Sequence, residues 1–257
     1  MNKLEEELRE VISSYKSTYE DADRRNSSLL EVGAMLLAVQ HYEIKGYQIS
    51  LISPSSVFSP KYTSLGDPRD TTKYSYWKVK KNDQCFEIHL NAPVWDGISH
   101  SACTFVVDVG VVKENSIIRE DDGIGLNTKT SKSKNYRLRG FENNDLVTFM
   151  EAKYLNIYPM LVAHFIGIVH EILPWALGNS EPEGFVSCEH FNPTLVSRKG
   201  FSANVERLLS SLAERKYNVH IVPYFEKYIE NKNLRAKKQD SILDRREGEV
   251  VSPKQWL

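Results

Sequence analysis

The stretch LVTFMEAKYL sets Glu151 and Lys153 among apolar neighbours. Side chains alternate across a β-strand, so Val147, Phe149, Glu151, Lys153 and Leu155 fall on one face. Two opposite charges then interrupt an apolar row, and burying them is costly unless they are paired or bound to metal. A second apolar stretch, TFVVDVGVV, repeats the pattern. Phe105, Val107, Val109 and Val111 form its apolar face, with Asp108 on the other. On neighbouring strands Asp108 and Glu151 converge on one cation. Two hard carboxylate oxygens suit Mg²⁺, with Mn²⁺ as a substitute, and the Ala152 backbone carbonyl offers a third oxygen. Lys153 then faces the attacking water or a phosphate. This is the chemistry of metal-assisted phosphodiester hydrolysis. The competing expectation is a structural Glu–Lys pair at a sheet edge, with Asp108 capping a backbone group. Asp121 and Asp122 are alternative acids, in a turn-like setting beside glycine.

The elements that must position these groups can be read along the chain. Leu4, Leu8, Val11, Ile12, Tyr15 and Tyr19 have helical spacing, and the run DADRRNSS is expected to break that helix. Ser27 or Ser28 then caps a second helix ending before Gly46, with Glu31 near the reciprocal capping-box position. YQISLI reads as a strand and SPSSVFSP as a loop. Residues 74–80 and 85–91 read as a hairpin around Lys81-Asn82-Asp83. Its apolar face holds Phe86, Ile88 and Leu90; its polar face, expected to be solvated, holds Glu87 and His89, which are also auxiliary acid–base candidates. After the Asp108 strand a polar stretch runs from Lys113 to about Asp145. It carries Lys129, Lys132, Lys134, Arg137 and Arg139 without an intervening acid from Lys129 on, a local basic run able to contact phosphates. The Glu151 strand is followed by an apolar helix over 158–173, where His164 and His170 are expected in the core rather than as ligands; Tyr154 and Tyr158 are expected to pack, with substrate contact as the alternative. A strand within 185–196, a helix capped by Ser202 and the strand YNVHIV complete the pattern.

Composition bounds the class. The 257 residues carry 33 Lys and Arg against 34 Asp and Glu, so global charge points to no polyanionic partner and any nucleic-acid surface must be local. Cys85, Cys103 and Cys188 are odd in number and widely spaced, which implies neither a disulfide framework nor a zinc site. MNKLEEELRE lacks the apolar core of a signal peptide, and a reducing cytoplasm is the expected setting. No P-loop, GxGxxG, GxSxG or HExxH pattern competes with the acid–lysine set.

Asp108 followed by Glu151-Ala152-Lys153, each within a hydrophobic strand, resembles the D…(D/E)xK signature of the PD-(D/E)xK (restriction-endonuclease-like) nuclease superfamily. The element order over residues 26–225 is similar to that of Mrr-like domains, although no proline precedes Asp108 and an insertion must separate the two strands. The resemblance implies an α/β fold with a central mixed β-sheet flanked by helices. The expected division is an N-terminal helical extension over 1–25, a nuclease-like domain over 26–228 and a charged tail over 229–257. The resemblance also implies that a Glu on the first core helix, here Glu31, joins Asp108, Glu151 and Lys153. The implied activity is endonucleolytic cleavage of DNA in preference to RNA, in a setting such as restriction or anti-phage defence. Homodimers or a protein partner, met through the N-terminal helix or the tail, fit such an enzyme, and no membrane is involved. The alternative is a catalytically silent protein of the same fold that binds nucleic acid or acts as a scaffold.

Overall fold

In the computed structural model, the described residues are 22–53, 74–96, 104–116, 118–121, 138–178, 189–202 and 204–223. The first element, α1 (Ala22–Ile44), already runs through the serines expected to cap it. The segment DADRRNSS contains neither Gly nor Pro; Ser, Asn and Asp only mildly disfavour a helix interior, and apolar packing decides. Glu31 is therefore an interior helical residue and no part of a capping box. Leu30, Val32, Met35, Leu36, Leu37 and Val39 bury the helix against the sheet.

Among the described residues nine strands form one mixed sheet. They are β1 (Gln48–Ile52), β2 (Tyr76–Lys81), β3 (Gln84–Trp95), β4 (Thr104–Lys113), β5 (Ile118–Asp121), β6 (Leu138–Phe141), β7 (Leu146–Lys153), β8 (Thr194–Ser197) and β9 (His220–Val222). The order β1-β2-β3-β4-β7-β8-β9 is antiparallel as far as β7 and parallel from there to β9. Parallel neighbours require crossovers. Those are α2 (Pro159–Ile172) between β7 and β8, and α3 (Val205–Glu214) between β8 and β9. One apolar cluster lies between α1 and the sheet, and a second joins α2, α3 and the other face. Phe165 of α2 meets Phe149 of β7 with ring centroids 5.8 Å apart. No helix among the described residues is long and apolar enough to cross a membrane.

The expected hairpin is present, and β3 extends past it to Trp95. Asn82, at φ 52, takes the left-handed turn position that Asn tolerates. The polar stretch after β4 holds the unforeseen hairpin β5–β6, attached to β3 through Val94–Phe141. Such short strands carry too few apolar residues to announce themselves. Asp121 ends β5 and is not a turn residue; Asp122 lies outside the described residues. The described strand near 185–196 is only Thr194–Ser197, while α3 begins at Val205 with Asn204 in the cap position rather than Ser202. YNVHIV contributes only its last three residues as β9. Residues 1–21 and the expected charged tail, 229–257, lie outside the described residues.

Strict alternation fails at two places, and both matter for the site. On β7 the pairing steps from Val111–Thr148 to Val112–Leu146, so Val147 is an extra residue, a β-bulge. Val147 consequently packs with the α1-side cluster and Phe149 with the α2/α3-side cluster, not on one shared face. On β3 Asn91 adopts φ 50, opposite Asp108 in the β3–β4 register. Leu90 and Val109 before this kink join the first cluster, whereas Ala92 and Val107 beyond it join the second. The continuous face expected from Phe105 to Val111 is thus divided at Asp108.

The kink also brings β3 close to Gly110. A Cβ there would lie 2.7 Å from the Cβ of Ala92 and 3.4 Å from a Val107 methyl. Gly110→Ala, normally favourable inside a strand, is expected to destabilise the protein by about 1–3 kcal/mol through overpacking, read as a lower urea midpoint.

Candidate functional site

The ladder between β4 and β7 ends at Val109–Met150. The next amide of β7 directed at β4 belongs to Ala152, and it donates to Asp108 Oδ2 at 2.7 Å instead of to a backbone carbonyl. A side chain therefore replaces a rung where the strands part. In an extended strand the N–H and C=O of one residue project to the same side, so the Ala152 carbonyl opens on this gap. Lys153 enters it with Nζ 2.9 Å from Asp108 Oδ2 and 2.6 Å from Glu151 Oε2. Lys153 thus bridges Asp108 and Glu151, and Asp108 caps the Ala152 amide, contacts that the competing expectation of a structural Glu–Lys pair shares.

The site is dry on one side and open on the other. Glu151 is 4% exposed, whereas the Lys153 and Asp108 side chains are 30% and 14% exposed. Burial, reinforced by the Asp108 carboxylate, raises the Glu151 pKa from 4.5 to about 7, against the opposing pull of Lys153 and the amide of Asp108. Burial alone would lower the Lys153 pKa, but the two carboxylates outweigh it and hold the ammonium protonated.

The donor set fits a hard divalent cation. Glu151 Oε1 is buried with no hydrogen-bond partner among the described residues, a costly state for a carboxylate oxygen. Both bonds to Asp108 fall on Oδ2, and with the Ala152 carbonyl facing the same gap there are oxygens enough for an ion that retains several waters. Among the described residues no three His, Cys, Asp or Glu side chains assemble into a metal-ligand group. Glu31 therefore does not complete a three-acid set with Asp108 and Glu151. It stays on α1, half-buried.

The remaining candidates fall elsewhere. His89 is 2% exposed, contrary to the solvated face expected of it. It stacks on Tyr76 at 4.8 Å, meets Phe141 of β6, and donates from Nε2 to Glu87 Oε2 at 3.1 Å. Glu87 and His89 thus engage each other, under the cover of the unforeseen β6. His164 and His170 are exposed on α2 rather than in the core, since the buried stripe runs through Leu161, Val162, Phe165, Ile168, Val169 and Ile172. Tyr158 is 44% exposed, and Tyr154 is half-buried beneath the guanidinium of Arg198, so neither is an ordinary core residue. Lys129, Lys132, Lys134 and Arg137 lie outside the described residues, and the backbone of Arg139 pairs with Glu120 in the β5–β6 hairpin. Sequence reasoning missed Asn91 and Arg198. The first was visible only as a poor strand former inside a strand pattern.

Because the folded pKa of Glu151 exceeds its unfolded value, the folded state holds the extra proton between pH 4.5 and 7. The stability linked to this group is present below about pH 4.5 and is lost as pH rises through 7, by roughly 3 kcal/mol at 1.36 kcal/mol per unit. Glu151→Gln should flatten this part of the stability–pH profile and melt above the wild type at pH 8. An unchanged slope would assign the acid group another environment. Comparisons with protein-family models, with curated proteins and with solved structures return no match for this chain.

Proposed function

We propose that the protein is a metal-dependent endonuclease with a restriction-endonuclease-like core, hydrolysing phosphodiester bonds of DNA in preference to RNA. The observation that carries this reading is the meeting of Asp108, Glu151 and Lys153 where β4 and β7 separate, with a buried Glu151 oxygen unpartnered among the described residues. A structural Glu–Lys pair with Asp108 capping the Ala152 amide accounts for those bonds but leaves Glu151 Oε1 without a partner among the described residues. The set keeps a partly desolvated carboxylate with a strongly raised pKa beside an opening, as functional sites do.

Asp108, Glu151 and the Ala152 carbonyl are the groups that would hold Mg²⁺ or Mn²⁺. When bound, the cation supplies positive charge that steadies the developing charge on the phosphate and eases deprotonation of water. The protein's own residues do the positioning. Asp108 fixes the Ala152 amide and the Lys153 ammonium with one oxygen, so the backbone and the cationic side chain are held in register. Burial of Glu151 keeps its carboxyl dry, and as the carboxylate it would be a ligand for the cation. Lys153, held protonated, is placed to receive a phosphate oxygen once it is released from its two carboxylates. Restriction or defence against phage is a setting in which such an enzyme would serve.

The test is plasmid and oligonucleotide cleavage by the full chain in Mg²⁺, Mn²⁺ or EDTA. Cutting is expected with either metal and not with EDTA. Glu151→Ala and Lys153→Ala are each expected to lose at least about 10²-fold in rate. Metal-dependent cutting that survives both substitutions would place the chemistry elsewhere.

A further inference from the structure

Past the ends of β7 and β8 the chain continues as a stitched pair of segments. The amide of Arg198 donates to the Lys153 carbonyl at 3.2 Å, and Ser197 Oγ to the Leu155 carbonyl. The amide of Ile157 donates to Gly200 O, and that of Ser202 to Ile157 O, each at 2.8 Å. This firm rim starts at the site lysine, yet it is not covered. Among the described residues the large hydrophobic side chains exposed to solvent are Ile44, Val106, Leu155, Tyr158 and Met160. All but Ile44 border the acid site in sequence: Val106 precedes Asp108 on β4, and the other three occupy the segment leaving Lys153. Met160 is 73% exposed. Cations lie on the partner segment, with the Arg198 guanidinium 4.3 Å from the Tyr154 ring centroid and Lys199 exposed beside it.

Apolar and aromatic side chains interleaved with cations match a strand whose bases are unpaired. A continuous duplex presents its phosphates outward and hides its base faces, so it would use Arg198 and Lys199 but leave Leu155, Tyr158 and Met160 in water. A single strand offers both a charged backbone and π faces to pack. We propose that this rim binds single-stranded or locally unpaired nucleic acid next to the scissile bond, with phosphates on Arg198 and Lys199 and bases on Tyr158, Leu155 and Met160. The inference rests on the nuclease reading and narrows its substrate.

Fluorescence anisotropy of the full chain in EDTA, where no metal-dependent step intervenes, tests the rim alone. The probes are a labelled single-stranded DNA and the same sequence as a blunt duplex. The single strand is expected to bind more tightly, and Tyr158→Ala and Arg198→Ala should each weaken it about 10-fold. Arg198→Lys should recover part of the loss, and Ile44→Ala, away from the rim, should bind as the wild type does. Melting curves confirm that each variant is folded; if Tyr158→Ala fails to fold, Met160→Ser replaces it. Tighter duplex binding, or rim variants equal to the wild type, would overturn the proposal. So would a wild type that binds neither probe but self-associates through Tyr158 and Met160, which would make the rim a protein contact. Expected binding without cleavage would remove the nuclease reading and leave the rim standing. Cleavage with a preference for duplex would remove the rim alone.

Discussion

Asp108 takes the place of a backbone rung. Where β4 leaves β7, the amide of Ala152 would lose its partner, and the Asp108 carboxylate supplies one while also holding Lys153. The cost of an unpaired backbone donor in a sheet interior is thereby avoided. The same replacement sets an acid at a gap in the sheet, opposite a second acid whose position is fixed by the continuing β7–β8 ladder. Everything proposed for the site depends on this one exchange of a main-chain acceptor for a side-chain acceptor.

Two irregularities hold the strands in the arrangement the exchange needs. Asn91 turns β3 and β4 together at the level of Asp108, and the extra residue Val147 resets which side chains of β7 reach which layer. After the bulge, Phe149 anchors against α2, and Glu151 and Lys153 follow it in alternation. Each device is local, but each changes the address of a charged group by a whole face of the sheet. Strand geometry alone would have separated the functional residues from the opening they share.

Much of this was legible in the sequence, for physical reasons that differ by element. Charges inside TFVVDVGVV and LVTFMEAKYL stand out because apolar strands rarely carry them without purpose, and the structure brings those residues into contact. The mixed sheet with helices on both faces follows from the alternation of strand and helix periods. Other features depended on tertiary contacts that no local pattern encodes. The hairpin β5–β6 covers His89, which therefore lies buried although its neighbours alternate as a half-exposed strand. Residues 22–28 remain helical because the downstream apolar stripe outweighs their weak propensities. Ser202 yields the cap position to Asn204, a shift that sequence spacing does not fix. The exposed Tyr158 and the Arg198–Tyr154 stack arise from the stitching of two loops distant in sequence.

The proposal stands on Asp108 and Glu151 forming a cation site. Mn²⁺ titration followed by electron paramagnetic resonance of the free ion, at pH 8 where Glu151 is largely ionised, tests it most directly. Saturable Mn²⁺ binding is expected, lost in folded Asp108→Asn and Glu151→Gln and competed by Mg²⁺. Binding that both variants retain, or a folded wild type that takes up no Mn²⁺, would contradict it and leave the three residues as a structural ion cluster.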